Sequence, residues 1–217
     1  MKEKILKKNI EITNRDYEIL SIVHKFRFCL SRHIRVLAGF KGARATDRRL
    51  KMLVDNKYLE RKKYMYGVPY LYTLAHKGKL YIGENKRKEK IRIDRITHDI
   101  AVLETVIFFI KKYNISLHDI TSEKDLYSKA GFGVRQHCPD FVAEINKEKY
   151  AVEIELHPKS KERLQKNVEE NYLKYSHQVW ITDNKKVISM LTELQKQYTI
   201  HLASLEGIKA YVAVLFE

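Results

Sequence analysis

Cysteine and proline are nearly missing from this 217-residue chain, and acidic charge is thin in its first half. The two cysteines, Cys29 and Cys138, sit in separate apolar runs with no CxxC spacing. That excludes a disulfide framework and fits reduced, packed thiols in a cytoplasmic protein. Three prolines and eight glycines leave little room for low-complexity or collagen-like tracts. No apolar run approaches the roughly 18 residues of a membrane helix. The longest, Ile100 to Ile110, is interrupted by Glu104 and Thr105. The opening MKEKILKK has no apolar core for a signal peptide. No Walker A, GxGxxG, zinc or HxH-type spacing occurs, and Gly131-Phe-Gly133 alone does not make a phosphate loop.

Positive charge is what the chain has in excess. The formal net charge is +15, and it is unevenly spread. Residues 1–95 hold 26 Lys/Arg against 10 Asp/Glu, whereas residues 96–217 hold 16 against 17. A first half this basic calls for a polyanion partner, bound through phosphate contacts and counterion release.

Within that half, Thr13-Asn-Arg-Asp16 is a capping pattern ahead of Tyr17, Leu20, Ile22, Val23 and Phe26 at helical spacing. This predicts a helix over about 14–27. Ser31 starts a short second helix, and Gly39–Gly42 a turn. From Ala43, Leu50, Leu53 and Val54 recur inwards, giving a third helix with a basic outer face. Two strand-like runs, Lys57–Lys63 and Tyr70–Leu74, flank a Gly67-Val-Pro69 turn. Helix, short helix, basic helix and hairpin follow in the order of a winged helix-turn-helix. Arg44, Thr46, Arg48, Arg49 and Lys51 are the expected groove-side residues, with Arg61, Lys62, Lys63 and Tyr66 on the wing. Tyr64, Tyr66, Tyr70 and Tyr72 alternate on the hairpin, either packing there or offering stacking faces to unpaired bases. The charge run Asn85–Arg92 reads as a linker. The expected domains are residues 1–83, a basic linker 84–96, and residues 97–217.

The second half predicts a helix from His98 to about Tyr113, a weak strand near Asp119–Glu123, and strands at Phe141–Ile145 and Tyr150–Leu156. A helix from Ser160 to about Tyr175 follows, with Leu164, Val168 and Leu173 inwards. A strand at Gln178–Asp183, a helix at Lys185–Tyr198 and a last strand at Lys209–Phe216 complete it. The fold class is α/β, α+β overall, in the order α-β-β-β-α-β.

Glu153 and Glu155 stand two residues apart in one strand and therefore share a face. Two carboxylates on a buried face cost several kcal/mol unless cations or donors meet them. On a half-exposed face they would instead pair with Lys147 or Lys149. Asp140 heads the neighbouring strand, after Pro139. His98, His137 and His157 are further phosphate-side or base candidates. Glu104 shares a helical face with Ile100, Ile107 and Phe108 and is a possible fourth acid.

Pro139-Asp140…Glu153-x-Glu155 resembles the PD-(D/E)xK signature of restriction-endonuclease-like proteins, except that Glu155 stands where the signature has lysine. Lys159, Lys161 and Lys166 on the following segment are the substitutes, Lys159 first. The segment Tyr72–Gly78 resembles the close of many bacterial winged helices. Together these resemble the MOBC-class plasmid mobilisation relaxases and the broader replication-relaxation family. That resemblance implies a nickase cutting one DNA strand at a transfer origin. Asp140, Glu153 and Glu155 would hold Mg²⁺ or Mn²⁺, and Lys159 would neutralise transition-state charge. The implied partners are double-stranded DNA with a local single-stranded nick region, and other relaxosome proteins or a coupling protein. The alternative is a non-enzymatic winged-helix repressor or accessory factor with an inactive nuclease-like domain.

Overall fold

In a computed structural model, residues 10–84, 90–130 and 136–216 are described. The opening MKEKILKK, the 85–89 part of the expected linker, and Gly131 and Gly133 lie outside them. The chain divides into two compact units, Met1–Ile93 and Asp94–Glu217.

The first unit begins with α1 (Asn14–Lys25), capped as its sequence requires. The Thr13 hydroxyl and amide both donate to Asp16, at 2.8 and 2.7 Å. Ile19, Leu20, Ile22 and Val23 form its buried stripe. Then come α2 (Ser31–Leu37) and α3 (Ala43–Asp55). An antiparallel hairpin follows, β1 (Leu59–Lys62) and β2 (Leu71–Leu74), registered from Leu59↔Leu74 to Lys62↔Leu71. The first strand starts two residues later than the sequence suggests. Lys57 is left-handed at φ 64°, and Tyr58 N–H donates to Leu53 O, so both still belong to the end of α3. A short helix not foreseen from the sequence, α4 (His76–Tyr81), closes the unit. Gly78 explains the close approach there, since a Cβ at this position would lie 2.1 Å from the Tyr58 carbonyl oxygen.

The second unit is built on a five-stranded mixed sheet ordered β3 (Ile120–Ser122), β4 (Phe141–Ile145), β5 (Glu148–Ile154), β6 (His177–Ile181), β7 (His201–Ala203). The first two pairings are antiparallel and the last two parallel. α5 (Ile96–Tyr113) lies on the face carrying Phe141, whose ring meets Phe109 at 5.5 Å. α7 (Lys161–Lys174) and α8 (Lys185–Leu194) cover the other face, where Leu164, Val168, Val187 and Leu191 enclose Trp180. α6 (Glu123–Ala130) follows β3 directly, where a loop was expected.

Two expectations are overturned. Lys209–Phe216 is not a strand but part of α9 (Leu205–Leu215). Its buried residues Leu205, Ile208 and Val212 recur at helical spacing. The helix is started by Ser204 and by Asp183, which accepts from the Leu205 and Glu206 amides. The edge strand is instead β7, parallel to β6. Leu173 is 81% exposed rather than inward, because the stripe of α7 runs Leu164, Asn167, Val168, Asn171.

Candidate functional site

The sheet register brings the acids together. Phe141 lies opposite Val152, so one step further, just ahead of β4, brings Asp140 beside Glu153, which points to the face opposite Val152 and Phe141. Glu155 follows on that face by the period of two. Glu153 is 3% and Glu155 6% exposed, because β5 is a central strand with Ala151, Val152 and Ile154 also buried. The half-exposed alternative with Lys147 or Lys149 is therefore not what forms.

Each buried carboxylate has been given its own protein partner. Asp140 Oδ2 accepts from the Ile154 amide at 2.8 Å and lies 3.3 Å from His98 Nε2. The other His98 nitrogen lies 3.3 Å from Asp99 Oδ1, so both ring nitrogens face acceptors. That is the environment of an imidazolium. Burial opposes its charge, but Asp140 and Asp99 outweigh burial and lift the His98 pKa to about 10. Burial likewise pushes the Asp140 carboxyl up, yet the His98 bond and charge hold it below the usual carboxylate range. Arg95 adds a guanidinium 3.9 Å from Asp140 and 3.7 Å from Glu123.

Glu153 Oε1 meets His137 Nε2 at 2.5 Å and accepts from Asn171 Nδ2 at 2.9 Å. Burial, with the Asp140 charge beside it, still pushes the Glu153 carboxyl up despite these donors. Glu155 Oε2 lies 2.5 Å from Lys159 Nζ, but the contact is not aligned as a hydrogen bond and that oxygen has no hydrogen-bond partner. Asp140, Glu153, Glu155 and Lys159 thus stand in one neighbourhood. Lys161 does not join them: it is exposed and bonds Glu193 at 3.2 Å. Glu104 is buried, six residues beyond His98 in α5. His157 is exposed. Arg95 and Asn171 were not foreseen. Asn171 had a signal, being a polar residue on the apolar stripe of α7.

Carboxylates are the ligand type that hard divalent cations take, and among the three here one Glu155 oxygen has no hydrogen-bond partner. The arrangement is not a ready cage, since no group of three His, Cys, Asp or Glu side chains among the described residues is spaced to hold a metal ion.

In the first unit, Arg44, Arg48 and Lys51 are exposed on α3, and Arg61, Lys62 and Lys63 on the hairpin. Two of the expected groove residues turn inwards. Thr46 is fully buried, its hydroxyl donating to Gly42 O at 3.0 Å. Arg49 reaches the fully buried Asp16, Nε to Oδ1 at 2.6 Å, and ties α3 to α1. Positions 46, 49, 50 and 53 share one helical stripe, which is why they leave the outer face. Arg32, Arg48, Lys51, Arg61 and Tyr70 line a groove of about 480 Å³ between α2, α3 and the hairpin.

The chain therefore pairs a basic helix-and-hairpin unit with a mixed-sheet unit that buries an acidic cluster. The Replication-relaxation family model matches residues 20–191, spanning both units, and the chain belongs to that family. No curated protein and no solved structure matches it. Among the described residues no helix is long and apolar enough to cross a membrane.

Proposed function

We propose that this chain is a metal-dependent DNA nickase of a plasmid or conjugative element, cutting one strand at a transfer origin. The first unit acts as a winged helix that holds duplex DNA. The second acts as a restriction-endonuclease-like core. The order α5-β3-α6-β4-β5-α7-β6, with strand pairings antiparallel, antiparallel, then parallel, supports that reading of the core, α6 being an addition to it. The observation that carries the proposal is the burial of Glu153 and Glu155 beside Asp140, itself only 10% exposed, with the Lys159 ammonium against Glu155. A stable scaffold gains nothing from three carboxylates there, because an apolar residue costs less to bury.

Asp140, Glu153 and Glu155 would hold Mg²⁺ or Mn²⁺, which polarises a phosphate and lowers the pKa of a bound water. Lys159, about a quarter exposed, brings positive charge from the solvent side towards a phosphate. His98 and Asn171 fix the orientations of Asp140 and Glu153.

A second reading has its own support. His98, His137 and Lys159 already meet the three carboxylates, as they would in a DNA-binding accessory factor or repressor whose core does no chemistry. Supercoiled plasmid carrying the cognate origin separates the two. With Mg²⁺ or Mn²⁺ the wild type should yield open circles, and Asp140→Asn should bind the plasmid without nicking it. Tight binding by both proteins with the plasmid left intact leaves the second reading.

A further inference from the structure

The hairpin holds a feature that duplex binding does not use. Tyr66, at the turn between β1 and β2, is 96% exposed, and Tyr70 is 46% exposed. Tyr64 lies half-buried beside them. Each ring carries a cation over one face: Lys62 over Tyr64 at 5.1 Å, Lys63 over Tyr66 at 5.7 Å, and Arg61 over Tyr70 at 4.3 Å. Tyr72, the fourth tyrosine of the alternating set, is 5% exposed and serves the core.

A wing that only rests on a phosphate backbone needs the three cations and no aromatic rings. At 96% exposure the Tyr66 ring adds nothing to the core, so packing does not account for an aromatic at the turn tip. A ring with a cation on one side keeps its other face open. Its π-system, beside a positive charge, matches a nucleobase attached to a phosphate. Bases inside a duplex already stack on their neighbours and offer only their edges. The available stacking partners are therefore unpaired bases. The groove behind Tyr70 is lined by Arg32, Arg48, Lys51 and Arg61 against the single carboxylate Asp47, so it stays net positive.

We infer that the hairpin tip is a binding site for unpaired DNA bases, with Tyr66 and Tyr70 stacking on them while Arg61 and Lys63 meet the adjoining phosphates. It rests on the reading of the first unit as DNA-binding, and names the nucleic-acid form it selects: a duplex that opens into single strand. The sequence left the tyrosines open between packing and stacking. Their exposures now divide them, with Tyr72 packing and Tyr66 and Tyr70 presented to solvent.

The test is fluorescence anisotropy of the full chain, without divalent metal, against three labelled oligonucleotides of one sequence: a duplex, the single strand, and a fork with one unpaired arm. The wild type should prefer the fork to the duplex. Stacking contributes at least about fivefold in affinity per base. Tyr66→Ala with Tyr70→Ala should therefore abolish the fork preference while changing duplex binding less than about threefold. Tyr66→Phe with Tyr70→Phe, which keeps the rings, should retain the preference. Equal wild-type affinity for fork and duplex overturns the inference, as does a fork preference that survives the alanine pair. So does an alanine pair that loses duplex and fork alike. Each of those outcomes leaves the DNA-binding reading standing. A wild type that binds none of the three probes removes both.

Discussion

His98→Gln isolates the charge at the centre of the acidic cluster. Glutamine keeps the capacity to bond Asp140 and Ile154 O but cannot be charged. A rise in the His98 pKa from 6.5 to about 10, at about 1.4 kcal/mol per pKa unit, sets a ceiling near 5 kcal/mol. The His98 side chain is still 20% exposed. Solvent screening and the opposing Arg95 charge bring the expected loss to about 2 kcal/mol. Because the folded pKa is raised, this stability is complete below about pH 6.5 and is lost as pH climbs through about 10. Trp180 is the only tryptophan, fully buried in the second unit, so its fluorescence reports unfolding of that unit alone. Guanidinium titrations of both proteins with chelator present, from pH 6 to pH 10.5, should show a stability gap that is widest at pH 6 and nearly closed at the top. A gap that is constant across this range, or one that widens with pH, refutes the imidazolium assignment.

Arg49→Ala should destabilise the first unit by about 3 kcal/mol, because it strips the partner from the fully buried Asp16. A melting point lowered by roughly 12 °C or more would register it. The Asp16 carboxyl is pushed up by burial but held low by Arg49 and Thr13, so the gap should shrink as pH falls through its pKa. At temperatures where Arg49→Ala stays folded, its DNA affinity should stay within about threefold of wild type. Arg48→Ala and Lys51→Ala, exposed on the same helix, should each leave the melting point in place. Each should reduce the slope of log affinity against log salt by about 1.

The contrast between Arg49 and Arg48 marks what the sequence could tell. The helix was legible from Leu50 and Leu53, and its phase already put Thr46 and Arg49 on the inner stripe. Composition, read without that phase, counted both as outer residues. The same rule applies to α7, where Asn167 and Asn171 occupy stripe positions. β4, β5 and β6 were legible because short apolar runs with turn-sized gaps leave few other solutions. AYVAVLF was misread because seven apolar and aromatic residues have no period of their own. Only with Leu205 and Ile208 included does the helical spacing emerge. The convergence of Asp140 with Glu153 and Glu155 follows from spacing plus one strand pairing. Its charge balance does not, because His98 lies 42 residues from Asp140 and no local pattern links them.

Titrating Mn²⁺ into the full chain and following its electron paramagnetic resonance signal asks directly whether the acidic cluster takes up an ion. One equivalent should lose its free-ion signal in the wild type, and that uptake should vanish in Asp140→Asn and in Glu155→Gln while Trp180 fluorescence stays native. Uptake unchanged by either substitution, or no uptake by the folded wild type, would mean that His98, His137 and Lys159 are the permanent partners of the carboxylates in a centre that performs no cleavage.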